Sequence, residues 1–278
     1  VSATERPAAD RPTADRPTVE RPATGVSLHR LRALGAVLFG GLLFLLAWQL
    51  IVWVGDYPDF ILPGPSRVLE RFATAWLEGT FVEHTLVTLV EILLGFVVGA
   101  GLGVVVGSLL ARSRRADLVL SPYLVAAQST PILALAPLLA LWFGTGLTGK
   151  VVICALIVFF PVAVATMVAF RGVDARLIEL GRSLRATPRQ RFATIELPAA
   201  LPGVLGGMRV GITLAVVGAI IGEWAGADAG LGWLLNLARG SSFDTPLLFA
   251  TLLTIALLGV GLYGVTVLVE RRLVGTRA

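Results

Sequence analysis

Long stretches free of charge constrain this chain more than any other feature. Ala33–Gly55 has no Asp, Glu, Lys or Arg, and neither has Leu118–Phe143, Val151–Phe170 or Pro246–Val269. Thr85–Ala111 carries only Glu91, and Gly203–Trp224 only Arg209 and Glu223. Roughly 20 apolar residues cross the hydrocarbon core of a bilayer as a helix. Six helical spans are therefore predicted, the third bent by Pro122, Pro131 and Pro137. No stretch shows the alternation of a barrel strand, so helices are the remaining way to satisfy the backbone in lipid. With 56% hydrophobic and 15% charged residues, the chain is far less charged than a soluble domain, where about a quarter of residues carry charge.

The charges between the spans give an orientation. Of the 23 Lys and Arg, only Arg67, Arg71, Lys150 and Arg239 fall on one side. The remaining 19 lie in the N-terminal segment, in Arg112/Arg114/Arg115, in the run from Arg171 to Arg209, and at the C-terminus. The loops alternate without exception, so the positive-inside rule predicts that both termini and the stretch Asp174–Pro202 are cytoplasmic. This placement also accounts for the formal charge of +5 without a nucleic-acid partner.

Residues 1–30 read as a disordered cytoplasmic tail, with the transmembrane domain over 31–278. Glu5-Arg6-Pro7 recurs as Asp10-Arg11-Pro12, Asp15-Arg16-Pro17 and Glu20-Arg21-Pro22, and a proline every fifth residue opposes a regular helix. The tail lacks the apolar stretch and small-residue cleavage site of a secretory signal. Cys154 is the one cysteine in this sequence, so no disulfide forms within it. His29 and His84 have no cluster of metal-ligating neighbours and read as interfacial polar residues.

Two spans carry glycine ridges. Gly95, Gly99, Gly103 and Gly107 recur every fourth residue in the second span, and Gly203, Gly207 and Gly211 in the fifth. That spacing lets another backbone approach closely, either within one bundle or between subunits.

Between the fourth and fifth spans lies the insert 174–198. Asp174 is placed to cap a helix running to about Leu184. Thr187, Pro188 and Gln190 then form a capping box for a second helix, expected to end before Pro198. Leu177, Leu180 or Gly181, and Leu184 share one face, and Phe192 and Ile195 give the second helix an apolar side. Arg176, Arg182, Arg185, Arg189 and Arg191 would cost on the order of 15 kcal/mol inside a membrane, at about 3 kcal/mol each. The insert must therefore lie at the membrane face, as an interfacial pair resting on headgroups or as a docking knob for a soluble protein.

The insert resembles the signature loop of ABC-importer permeases: Glu-Ala-Ala, three residues, Gly, nine residues, Ile, one residue, Leu-Pro. Glu179 takes the Glu position, and Ile195, Leu197 and Pro198 take their places. Leu180-Gly181 stands for Ala-Ala, and Arg185 for the Gly. A corner with φ > 0 would suit glycine, whereas a right-handed corner accepts arginine. The stretches STPILALAPLLALWFGTG, VFFPV and GEWAGADAGLGWLL are similar to the nitrate/sulfonate/taurine-type permeases and to pyrimidine- and riboflavin-importing relatives. The similarity runs from about Phe60 to the C-terminus.

The resemblance implies an all-α polytopic membrane protein of six transmembrane helices. These form a five-helix type I importer core with one preceding helix and cytoplasmic coupling helices, in the plasma or inner membrane. It implies a cytosolic ABC ATPase dimer that binds the ATP and Mg²⁺, an extracytoplasmic solute-binding protein, and a second permease copy as homodimer. Coupling to the ATPase is implied for Glu179, Leu180, Gly181, Leu184, Arg185, Ala186, Thr187 and Pro198. The sequence 134–144 leans toward a heterocyclic precursor rather than a sulfonate.

Polar residues within spans are candidates for the translocation pathway: Glu91, Gln128, Ser129, Thr130 and Glu223. Glu91 and Glu223 could equally serve packing or interfacial roles, and Gln128–Thr130 could instead satisfy backbone freed at the Pro131 bend. Arg209 reads as snorkelling or facing the insert. Gly144–Val151 matches a phosphate-loop pattern until Val151, where a Ser or Thr should ligate Mg²⁺. No strand is predicted before it, so no nucleotide site is expected on this chain. A self-contained secondary transporter or channel is the rival reading, but neither internal repeats nor paired intramembrane charges are visible in the sequence. A membrane enzyme would need a nucleophile–base pair or a metal cluster; no catalytic or metal residue is predicted.

Overall fold

The structure is a computed structural model that describes residues 25–240 and 243–275. The repeat tail lies outside those residues. Two compact units divide near Ile51. In the first, α1 (Gly25–Gly55) begins before Ala33 and contains the apolar window Leu38–Gly55. Its start at Gly25 takes up the last six residues assigned to the tail.

The second unit is built around α3 (Thr80–Arg112), α6 (Leu147–Arg171) and α9 (Leu197–Trp224). The α6 helix lies between the other two and makes its most extensive contacts with both. Lipid tails are as apolar as leucine, so membrane helices associate through close packing rather than the hydrophobic effect. Both glycine ridges serve this purpose. A Cβ added at Gly99 would lie 2.9 Å from Ala155 Cα and from Val158 Cβ, and one at Gly107 would lie 2.8 Å from Thr166 Cβ. On the opposite flank, a Cβ at Gly203 would lie 2.7 Å from Ala169 Cβ and one at Gly211 2.9 Å from Val162. Gly95 and Gly103 are likewise closed by Cys154 and Phe159. The ridges of α3 and α9 thus both face α6, inside one subunit.

Three sequence expectations change. The third span is not one bent helix but a pair, α4 (Arg114–Ser129) and α5 (Ile132–Phe143), turned by 98° at a short break. Pro122 and Pro137 lie inside these helices, and only Pro131 marks a break. Thr130 before it is extended, the backbone that a following proline favours. Five described helices are long and apolar enough to cross a bilayer, or six with this pair as one span.

The fifth span also starts earlier than Gly203. α7 (Ala175–Ser183) leads to α8 (Pro188–Arg191), which runs through a π turn at Phe192–Glu196 directly into α9. The helix therefore does not end before Pro198. Pro198 is the second residue of α9, directly after the π turn, inside a continuous helical path. Finally, α6 begins at Leu147, so Lys150 belongs to a span and not to a loop.

Two shorter helices close the other end of the bundle. α2 (Pro65–Leu77) is joined to α11 (Thr245–Val274) by Arg71 Nε, 2.9 Å from Asp244 Oδ2. Asp244 also caps α11 by accepting from Leu247 N–H at 2.9 Å. α10 (Leu231–Arg239) packs on α9 and α11.

Candidate functional site

The insert folds as an elbow. Asp174 accepts a hydrogen bond from Arg176 N–H at 2.9 Å and caps α7. Thr187 caps α8: its hydroxyl accepts from Gln190 N–H at 3.3 Å while Gln190 Oε1 accepts from Thr187 N–H at 2.9 Å. Between these caps, Arg185 N–H donates to Arg182 C=O at 2.9 Å and Ala186 N–H to Gly181 C=O at 3.0 Å. These two bonds make a Schellman motif, which needs a left-handed residue at its corner. Arg185 supplies it with φ of 55°. The corner is thus not the right-handed one that an arginine would have preferred, and holding it left-handed costs about 1–2 kcal/mol relative to glycine.

The two arms of the elbow meet at Gly181, where an added Cβ would lie 2.8 Å from Ile195 Cδ1. That close approach explains a glycine in the Leu180-Gly181 pair. Leu177, Leu180 and Leu184 point outward, Leu184 with 73% of its surface exposed. Glu179, Arg185 and Thr187 are also exposed, Ala186 is half-buried, and Pro198 lies at the joint with α9. These exposed leucines form an apolar patch rimmed by arginines, a feature of surfaces that contact a protein or a membrane.

A second constellation lies at the opposite end of α3 and α9. Lys150 Nζ is 2.7 Å from Glu91 Oε1. Both are buried, Glu91 with 1% and Lys150 with 7% of the residue exposed. Beside them Glu223, also 1% exposed, accepts from Thr88 Oγ1 at 2.6 Å and from Gly232 N–H. Leu231 N–H donates to Thr88 Oγ1 at 2.8 Å, and Gly230 N–H to His84 Nδ1 at 3.1 Å. Three successive N–H groups at the start of α10, without partners inside that helix, are satisfied by side chains of α3 and α9. The glycines make room for this clasp: an added Cβ at Gly232 would lie 2.8 Å from Glu223 Oε2.

The candidates for the pathway therefore separate. Glu91 and Glu223 come together, but in a buried clasp. Gln128 lines a cavity of about 450 Å³ with Pro161, Val164, Ala165, Val168, Ala169 and Gly203. Ser129 and Thr130 sit at the 98° break, where Thr130 Oγ1 donates to Ala126 C=O at 3.2 Å. Arg209 pairs with Glu270 of α11 rather than with the insert.

His84 is buried in the clasp, not interfacial. Sequence reasoning missed it, together with Thr88 and Lys150. A signal existed: 84, 88 and 91 follow the i, i+4, i+7 spacing of one helix face. Lys150 also removes the phosphate-loop reading of Gly144–Val151, because its ammonium is committed to Glu91 and a helix, not a strand-to-loop junction, contains it.

Comparison with known proteins decides the family. Residues 99–275 match the family described as binding-protein-dependent transport system inner membrane component. The chain belongs to it. This permease is 44% identical to the riboflavin transport system permease protein RibX of Chloroflexus aurantiacus, over 84% of its own length and 87% of the relative's. It is 35% identical to the aliphatic sulfonates transport permease protein SsuC of Bacillus subtilis, over 83% of each chain. It is 34% identical to the formylaminopyrimidine transport permease protein ThiX of Halalkalibacterium halodurans, over 79% of its own length and 86% of the relative's. An inward-facing structure of the MetNI methionine ABC transporter shares the fold, with a TM-score of 0.58 and 23% identity, covering 71% of this chain and 96% of that one. The chain is thus a multi-span ABC transporter permease of the importer type, and its place is the inner membrane.

Proposed function

We propose that this permease takes its drive from a cytosolic ABC ATPase through the elbow 174–198. The observation that carries the reading is the elbow itself, a corner kept left-handed at Arg185 that presents Leu177, Leu180 and Leu184 outward. Both termini and the elbow face the cytoplasm, in keeping with the arginine distribution. ATP and Mg²⁺ reside on the ATPase dimer, and the permease itself carries no catalytic residue or cofactor. Two copies form the translocation pathway, and an extracytoplasmic binding protein delivers the solute.

ATP-driven closure of the ATPase moves the elbows, and differential binding of the two permease states shifts the spans between outward- and inward-facing forms. The solute is a heterocyclic precursor of the pyrimidine or riboflavin kind. The similarity to the riboflavin and formylaminopyrimidine permeases supports this class, as does the mainly apolar cavity with one amide at Gln128.

The test is uptake in proteoliposomes holding the permease, its ATPase and its binding protein. Leu184→Glu removes an exposed anchor without touching the core. It should lower ATP-driven uptake about 30-fold, the effect of losing a docking hot spot of about 2 kcal/mol, with unchanged membrane insertion. Glu179→Arg should also impair uptake. Normal uptake in both variants, or uptake without the ATPase as a secondary transporter would give, contradicts the reading. Uptake of an aliphatic sulfonate in place of riboflavin would reject the proposed solute class alone.

A further inference from the structure

The π turn at Phe192–Glu196 joins the elbow to span α9. A π turn departs from the regular i→i−4 ladder and is a natural place for a helix to flex. Unbraced, it would absorb a displacement of the elbow before that displacement reached the bundle.

Arg112, the last residue of α3, meets this turn from the side. Its guanidinium lies 4.0 Å from the centroid of the Phe192 ring and 5.8 Å from that of Phe170, the last ring of α6. The two rings stack on each other at 5.9 Å and 20°. Arg112 Nη2 is 3.7 Å from Glu196 Oε2, while Glu196 Oε1 accepts from Arg191 Nε at 3.0 Å. Both ends of the π turn, Phe192 and Glu196, are therefore bound by one arginine of another span. Arg171 adds a parallel tie, with Nη2 3.1 Å from Leu110 C=O and 2.7 Å from Asp117 Oδ2.

We propose that Arg112 is a positioning residue that braces the π turn, so that the elbow, α3 and α9 move as one body when the ATPase closes. The proposal rests on the docking reading of the elbow. Force then has two routes into the bundle, along the chain into α9 and across Arg112 into α3. The glycine ridges lock both helices to α6, so the two routes converge on one slab. A planar guanidinium can stack flat on a ring while its in-plane N–H groups pair with a carboxylate, a geometry that a compact ammonium matches less well.

The experiment measures solute uptake and ATP hydrolysis in the same proteoliposomes, using the permease with its ATPase and binding protein. Arg112→Ala should lower solute imported per ATP about fivefold or more, the lower range for a coupling free energy, while the permease still purifies with the ATPase. Phe192→Leu keeps the apolar bulk and removes the cation–π face, and should lower the ratio in the same direction. The double variant should be no worse than Arg112→Ala, because the two residues act through one contact. Arg112→Lys should restore the ratio only in part. A role confined to folding would lower yield and leave the ratio unchanged.

An unchanged ratio in both single variants, with a cysteine at Leu184 still cross-linking to the ATPase, overturns the brace and leaves the docking reading standing. Failure of that cross-link in the otherwise unmodified permease overturns the docking reading and the brace with it.

Discussion

Lys150→Met should destabilise the permease by about 3–5 kcal/mol, the cost of stripping one partner from a buried ion pair. Lys150 is the cation paired with Glu91, and Glu91 is 1% exposed. Among the described residues, its second oxygen, Oε2, accepts no hydrogen bond. With Lys150 gone, the carboxylate of Glu91 would lie beside that of Glu223 without its counter-charge. For a chain of this size the melting temperature should fall by about 10 °C, at 2–4 °C per kcal/mol. Lys150→Met/Glu91→Gln should recover most of the loss, because a neutral amide no longer needs the ammonium. Equal melting temperatures for the single variant and the unaltered protein would show that the pair is not closed off from water.

The second large effect concerns the ridge of α3. At Gly99 even a Cβ would lie 2.9 Å from Ala155 Cα, and that neighbour is backbone that cannot rotate away. Gly99→Leu must push α3 from α6 along the contact that defines the bundle. Overpacking by single methylenes already costs about 1–3 kcal/mol, and a leucine inserts several. Gly99→Leu should abolish recovery of monodisperse protein by size-exclusion chromatography. Gly101→Leu is the control: it is two residues away on the exposed face, with nothing within 4 Å of its added Cβ. Equal recovery of the two variants would mean that α3 and α6 are not in backbone contact.

Features repeated along the chain were legible in the sequence. Lipid demands charge-free stretches and close packing demands small residues at one spacing, so the spans and both glycine ridges could be read without coordinates. The caps of the elbow were legible too, because Asp174, Thr187 and Gln190 act within a few residues of their own positions. What stayed hidden depends on partners distant in sequence. Lys150 reads as a loop charge until Glu91, 59 residues earlier, is seen to meet it. His84 and Thr88 acquire a role only when the Gly230–Gly232 turn folds back onto α3. Pro198 reads as a helix end because the π turn that precedes it has no signature in residue type. At Arg185 the local preference and the structure disagree, since a Schellman corner needs φ > 0. A left-handed arginine is what a corner retained for its shape, at some cost in stability, would show.

Where the elbow sits and what it touches are both tested by one cross-link. Cys154 is fully buried, its thiol directed at Ala215 C=O at 3.3 Å, so a cysteine placed at Leu184 is the accessible thiol of the chain. Paired with cysteines along the face of the ATPase in the assembled transporter, Leu184→Cys should form an intermolecular cross-link whose yield changes when ATP is added. Labelling of the same cysteine by a membrane-impermeant maleimide applied outside intact cells, with no cross-link to the ATPase, would contradict the account.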